Sequence, residues 1–181
     1  FSQLINQNTK ELPQDNPDLK HQCLLLMDEF TSIGRVEIIA HSVSYMAGYN
    51  IRLFPIIQSV AQLDAVYGKE YARTIITNHA LQIIYTPREQ QDANEYSEML
   101  GYTTVKRRNV SRGRERSVSE SEERRALMLP QELKGMSQDN EIILYEGMAH
   151  PAKVNKIRYY QDGMFTKRLK GAVKVASLKG G

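Results

Sequence analysis

The stretch that most constrains this chain is Cys23-Leu24-Leu25-Leu26-Met27-Asp28-Glu29-Phe30, followed by Gly34-Arg35. Five apolar residues without a charge predict a short strand buried on both faces, and two carboxylates follow where that strand leaves the core. Open α/β sheets keep their chemistry at this end of their strands. An Asp there can hold a nucleotide-bound Mg²⁺, usually through its water shell, while the next Glu can orient and deprotonate an attacking water. This is the logic of a Walker B motif. The same pattern also fits an Asp that caps a turn or the next helix, so the residues alone leave both readings open.

The 181 residues, 41% apolar and 25% charged, are enough for one well-buried domain of a soluble globular protein. The single cysteine, Cys23, lies inside the apolar run. It excludes an intramolecular disulfide and fits a reducing compartment, with the thiol as a small core group. No apolar run reaches the ~20 residues needed to cross a bilayer, and no signal-peptide pattern opens the chain. The expectation is a soluble, cytoplasmic segment. It begins at Phe1, and its first strand already carries the second half of a nucleotide site, so a fragment of a longer protein is expected.

The net charge of +3 hides an asymmetry. Residues 153–179 hold eight Lys or Arg against the lone Asp162, and residues 106–125 hold eight against four Glu, which leaves the remainder acidic by eight charges. Basic segments on an acidic body suit a polyanion, and equally suit solvated loops and a tail.

In chain order, Phe1, Leu4 and Ile5 predict the last turns of a helix that ends before the loop Pro13–Pro17. Val36, Ile39, Ala40, Val43, Met46 and Ala47 recur at helical spacing up to Gly48. His41 and Tyr45 on that helix read as surface or satisfied groups, since no second metal-type residue sits four away. Ile51–Ile57 predicts the next strand, with an irregularity at Pro55. It ends in Gln58-Ser59. A neutral amide there can hydrogen-bond a γ-phosphate oxygen and the attacking water; Gln58 can equally cap the helix that follows.

Helices are expected over 60–66 and 69–78, then a strand Ala80–Tyr85, then a helix capped by Thr86 and Glu89 and closed by Gly101. Three strand–helix alternations predict parallel crossover units, an α/β sheet of mostly parallel strands with helices on both faces. Residues 106–125 read as a mobile loop or extended hairpin. A short helix Gln131–Met136 precedes strands Glu141–Tyr145 and Val154–Tyr159, an antiparallel edge near the C-terminus. Residues 170–181 read as a flexible tail.

The order of these features resembles the type IV coupling proteins, the ATPases of conjugative DNA transfer and type IV secretion. The resemblance rests on Leu24–Phe30 with Ile33-Gly34-Arg35, on Gln58-Ser59-Val60-Ala61-Gln62-Leu63 with Tyr67-Gly68, and on Asn78 before the strand Leu81–Tyr85. It continues through Glu95-Tyr96, Leu100-Gly101 and Arg125-Ala126-Leu127-Met128 to Pro130-Gln131-Glu132-Leu133. It implies the C-terminal portion of a RecA-like P-loop NTPase sheet over residues 1–169, in a hexameric ring that spends ATP, with Mg²⁺, on moving DNA.

By that resemblance Asp28 matches the Mg²⁺-side Walker B acid, Glu29 the water-activating base and Gln58 the sensor, and Ile51–Ile57 should be a central strand. Implied partners are a homohexamer, conjugative DNA, and relaxosome and secretion-channel proteins. The implied location is the cytoplasmic face of the bacterial inner membrane, with anchoring segments outside this chain. No G-x-x-x-x-G-K-[ST] occurs in the 181 residues, so this segment alone is expected neither to bind nor to hydrolyse ATP. Some members carry an arginine before the sensor strand that reaches a neighbouring subunit's nucleotide; here that region reads Tyr45-Met46-Ala47-Gly48-Tyr49-Asn50, which leaves Arg52, Arg73, Arg124 and Arg125 as candidates. The competing reading is a non-catalytic basic α/β module for DNA or an acidic protein partner.

Overall fold

The computed structural model describes residues 1–112 and 116–171. Helix α1 (Ser2–Asn8) leads to β1 (Cys23–Met27), α2 (Glu37–Ser42), β2 (Ile51–Pro55), α3 (Val60–Tyr67) and α4 (Lys69–Thr77). Then come β3 (Leu81–Ile84), α5 (Gln90–Leu100), the paired strands β4 (Tyr102–Arg112) and β5 (Arg116–Ala126), α6 (Pro130–Lys134), β6 (Asn140–Tyr145), β7 (Ala152–Asn155) and α7 (Gly163–Thr166). The tail expected over 170–181 falls almost wholly outside the described residues.

Strands β1 and β2 pair in parallel, with Cys23 opposite Ile51 and Met27 opposite Pro55. Side chains alternate along a strand. Leu25, Met27 and Ile51 therefore enter a core with Ile5, Phe30, Ile39, Met46, Leu63, Tyr67 and Ile75. Leu24 and Leu26, on the other face, are 63% and 58% exposed. The expectation that this strand is buried on both faces does not hold within this chain, because the helices cover one side only.

The expected mostly parallel sheet also gives way to three small ones. Strand β3 pairs antiparallel with β6, which pairs antiparallel with β7, and β4–β5 form a hairpin. The helix pair α3–α4 lies between β2 and β3, and β3 takes its hydrogen bonds from β6, not from the parallel pair. Ile84 enters a second core with Leu100, Leu133, Met136 and Ile142, while Leu81 and Ile83 remain on an exposed face. Short apolar runs do not distinguish this half-covered antiparallel strand from a parallel one. The antiparallel edge of β6 and β7 forms as expected, although β7 stops at Asn155. The 106–125 stretch is a hairpin whose strands stay in register from Tyr102–Ala126 out to Arg112–Arg116.

Several local expectations are corrected. The stripe packs inward from Val36 to Met46, while Ala47 is exposed; α2 ends at Ser42 and the chain continues through a 3₁₀ turn, Met46–Tyr49, to Asn50 at φ 57°. Pro55 causes no bulge: Ile56 N–H and C=O bond toward β1. Successive residues of a strand alternate sides, so the missing Pro55 donor faces the edge that carries no strand among the described residues. Helix α5 begins at Gln90, and the Thr86 hydroxyl donates to Met136 C=O at 3.1 Å instead of capping it.

Phe30 is fully buried and stacks on Tyr67 with ring centroids 5.3 Å apart. Replacing Phe30 with Ala should cost about 3–5 kcal/mol in urea unfolding followed by circular dichroism, since it empties a fully buried site and removes the stack on Tyr67. A loss under about 1 kcal/mol would show that this ring is not part of the core that carries the fold.

Candidate functional site

The parallel pair aligns the carboxyl ends of β1 and β2. Ile56 N–H donates to Met27 C=O at 2.9 Å in register. Phe30 N–H donates to Ile56 C=O at 3.0 Å, one residue beyond the in-register Glu29, so the pairing reaches past both strands with one extra residue at Asp28–Glu29. Asp28 and Glu29 lie between those bonds and Gln58 lies two residues beyond Ile56. The structure therefore brings Asp28, Glu29 and Gln58 to one end of one sheet, and all three are exposed.

The acids sit in a constrained turn. Glu29 has φ 49° and ψ 45°, the left-handed region that a non-glycine residue enters at a cost of order 1 kcal/mol. Its N–H donates to Asp28 Oδ1 at 3.0 Å, which fixes that carboxylate against its own backbone. A 3₁₀ turn, Phe30–Ile33, follows, and Gly34 takes φ 75° to end it. Arg35 then ties the turn to α3: its guanidinium donates to Tyr67 C=O at 3.1 Å, pairs with Glu37 at 2.7 Å and lies 4.9 Å from the Tyr71 ring centroid. The Tyr67 hydroxyl accepts from Val36 N–H at 3.2 Å, and burial raises its pKa.

On the other side, α3 starts from Ser59, whose hydroxyl accepts from Gln62 N–H at 3.2 Å. Ser59, not Gln58, is the helix cap, which leaves the Gln58 amide free of that duty. Two polar residues that sequence reasoning gave no role join the site: the Thr31 hydroxyl donates to Gln62 Oε1 at 3.3 Å, and Gln62 Nε2 approaches Gln58 Oε1 at 3.5 Å. The spacing Ser59-x-x-Gln62, that of a capping box, was the available signal.

The candidate arginines lie elsewhere. Arg52 is on β2 opposite Leu24, toward the far end of the strands from Asp28, and donates to Ala47 C=O at 2.8 Å. Arg124 lies over the Tyr102 ring at 4.0 Å. Arg125 pairs with Glu132, which also accepts from Leu129 N–H at the start of α6 and is held below the usual carboxylate range, first by that backbone bond and then by Arg125. Arg73, on α4, is exposed, and its guanidinium has no hydrogen bond, ion pair or ring contact among the described residues.

Among the described residues no group of three or more His, Cys, Asp or Glu could hold a metal ion by itself. A surface groove of about 540 Å³ lined by His79, Met99, Tyr145, Glu146 and His150 contains none of the site residues.

These features define a class: an α/β domain with its polar residues gathered at the carboxyl end of a parallel strand pair. The family model for type IV secretory system conjugative DNA transfer matches residues 1–180, and the chain belongs to that family, the coupling proteins of conjugation and type IV secretion. It is 29% identical over 168 residues to protein VirD4 of Agrobacterium fabrum (strain C58), covering 91% of this chain and 25% of that protein. With a conjugal transfer protein TraG of Escherichia coli it shares 32% identity over 103 residues, covering 55% of this chain and 16% of that one. The chain thus spans about a quarter, or less, of the length of these curated relatives. In fold it is similar to the unbound bacterial conjugative coupling protein TrwBdeltaN70, with TM-score 0.68 and 20% identity over 84% of this chain and 34% of that one. TrwB in complex with ADP and Mg²⁺ aligns with TM-score 0.59 and 23% identity over 75% of this chain and 30% of that one. No helix among the described residues is long and apolar enough to cross a membrane.

Asp92 is 3% exposed, on the first turn of α5, with the Val60 N–H at the start of α3 acting on its carboxylate. Desolvation raises its pKa above the usual carboxylate value; the Val60 bond opposes this, and Glu95, Glu89 and Asp64 add to it. The folded chain then binds this proton more tightly than the unfolded chain. The stability so gained is full below the ordinary carboxylate pKa and is lost as pH rises through the raised one. Asp92→Asn keeps an acceptor for Val60 and removes the charge, so its melting temperature relative to the parent should rise between pH 4 and pH 7. A difference that is flat or falls with pH would contradict the assignment.

Proposed function

We propose that this chain supplies the second half of a nucleotide site in a ring-forming, DNA-translocating ATPase, the coupling protein of bacterial conjugation or type IV secretion. The observation that carries the reading is the parallel register, which delivers Asp28, Glu29 and Gln58 to one sheet edge. The donor set fits the nucleotide and its metal: hard carboxylate oxygens suit Mg²⁺, which nucleotide sites typically hold with one or two carboxylates plus phosphate oxygens and water, not an all-protein cage. Bound Mg²⁺ supplies charge neutralisation on the phosphates. In this reading Asp28 would hold that ion, Glu29 would take a proton from water at the site, and Gln58 would hydrogen-bond the γ-phosphate. Lysine and backbone donors for the phosphates would come from segments outside these 181 residues, in which no phosphate-loop motif occurs.

Residues 1–169 then form the C-terminal portion of a RecA-like motor domain, and further polypeptide covers the Leu24–Leu26 face. The complete protein assembles as a homohexamer on the cytoplasmic face of the inner membrane and meets DNA, relaxosome and secretion-channel proteins. For the arginine that reaches a neighbouring subunit, Arg73 is favoured over Arg52 and Arg124, whose side chains already have partners within the chain. In the complete protein, Glu29→Gln should keep nucleotide affinity and lose turnover by about two to four orders of magnitude. Hydrolysis at the parent rate would mean that another group is the base.

A second reading has its own observation. The hairpin β4–β5 is a two-stranded sheet of its own built from the basic 106–125 stretch. Its register sets Lys106 opposite Glu122 and Arg108 opposite Glu120, and sets Arg112 opposite Arg116. Such an arm suits DNA phosphates. DNA affinity of the chain should then fall steeply between about 50 and 200 mM salt. Absent or salt-insensitive binding would remove this reading.

A further inference from the structure

We propose that Gln62, steadied by Thr31, is the positioning residue that orients the Gln58 amide; this rests on the nucleotide-site reading above. Three observations converge on it. Gln62 occupies the third position of α3, where in a capping box its side chain would turn back to the Ser59 N–H. The box is half made. The Ser59 hydroxyl takes Gln62 N–H, while the Gln62 side chain is directed instead to Gln58 Oε1 at 3.5 Å and to the Thr31 hydroxyl at 3.3 Å.

Thr31, for its part, cannot drift. It follows Phe30, whose N–H is bonded to Ile56 C=O and whose ring is stacked on Tyr67 at the other end of α3. The acid-bearing turn and the helix behind Gln58 are thus fastened at both ends of α3, and the row Thr31–Gln62–Gln58 lies across the gap between the two strand ends.

A carboxamide has one accepting and one donating side, and its function depends on which faces the ligand. With Gln62 Nε2 directed at the Gln58 carbonyl oxygen, the Gln58 NH₂ is left to face an anion. That orientation makes Gln58 a donor to a phosphoryl oxygen, and the water-activating step is left to Glu29. Both glutamines are exposed and the contact is long, as such bonds are before a ligand closes on them, so its effect should be felt in turnover and not in folding.

The test uses the complete protein and ATP. Gln62→Met keeps the side-chain length and helix preference of Gln62 but has no amide. It should lower kcat about tenfold with KM within about twofold and an unchanged melting temperature. Thr31→Val, at a different element, should lower kcat in the same direction by less. Gln58→Ala should lower kcat at least as far as Gln62→Met, and the Gln58→Ala/Gln62→Met double variant should be no slower than Gln58→Ala alone, because a residue that acts only through Gln58 has nothing left to orient. Parental kcat in Gln62→Met, or losses that multiply in the double variant, overturns the positioning role and leaves the site reading standing. Parental kcat in Gln58→Ala overturns the site reading itself, and the positioning role with it.

Discussion

The candidate site and the first core hang on the parallel ladder between β1 and β2. Two strands of five residues bury little surface, but their backbone bonds do not stop with the strands: Ile56 and Phe30 extend the ladder past Met27, and that last step sets where the two acids and the amide emerge. A one-residue slip would send Leu25 and Met27 to the exposed face and Leu24 and Leu26 into the core, and would move Gln58 away from Asp28. The core residues that hold the register are therefore also the residues that assemble the site.

Below the ladder, one aromatic pair carries the constraint into α3. The stacked rings of Phe30 and Tyr67, the Tyr67 hydroxyl on Val36 and the Arg35 guanidinium on Tyr67 C=O fasten the turn after the acids to the far end of the helix that begins beside Gln58. The strained Glu29 backbone persists because both flanks of the turn are held. An exposed acid in a left-handed turn does little for stability, and the proposed role of Glu29 as a base gives that position a use.

How far the sequence foretold this depends on the range of the forces involved. The run Cys23–Met27, the acids after it and the helices over 60–67 and 69–77 were legible because apolar periodicity and local breakers act within a few residues. Sheet order was not. Leu81-Gln82-Ile83-Ile84 reads the same whether it joins β2 or β6, and the choice is made by β6, sixty residues on. Thr86 had the letters of a cap, yet Met136, fifty residues away in sequence, claims its hydroxyl. In the site, the acids and Gln58 were visible as strand-end residues, whereas the Thr31–Gln62 link spans thirty-one residues and needs the fold to be seen. Family resemblance added roles to these positions that spacing alone left open.

The most direct test of the account is a crystal structure of the complete protein with Mg²⁺ and a non-hydrolysable ATP analogue. The account predicts the triphosphate against the ends of β1 and β2, with the Asp28 carboxylate on the metal's water shell, Glu29 beside the γ-phosphate and the Gln58 amide donating to it. A nucleotide bound elsewhere, with these three side chains still turned to solvent, would contradict it.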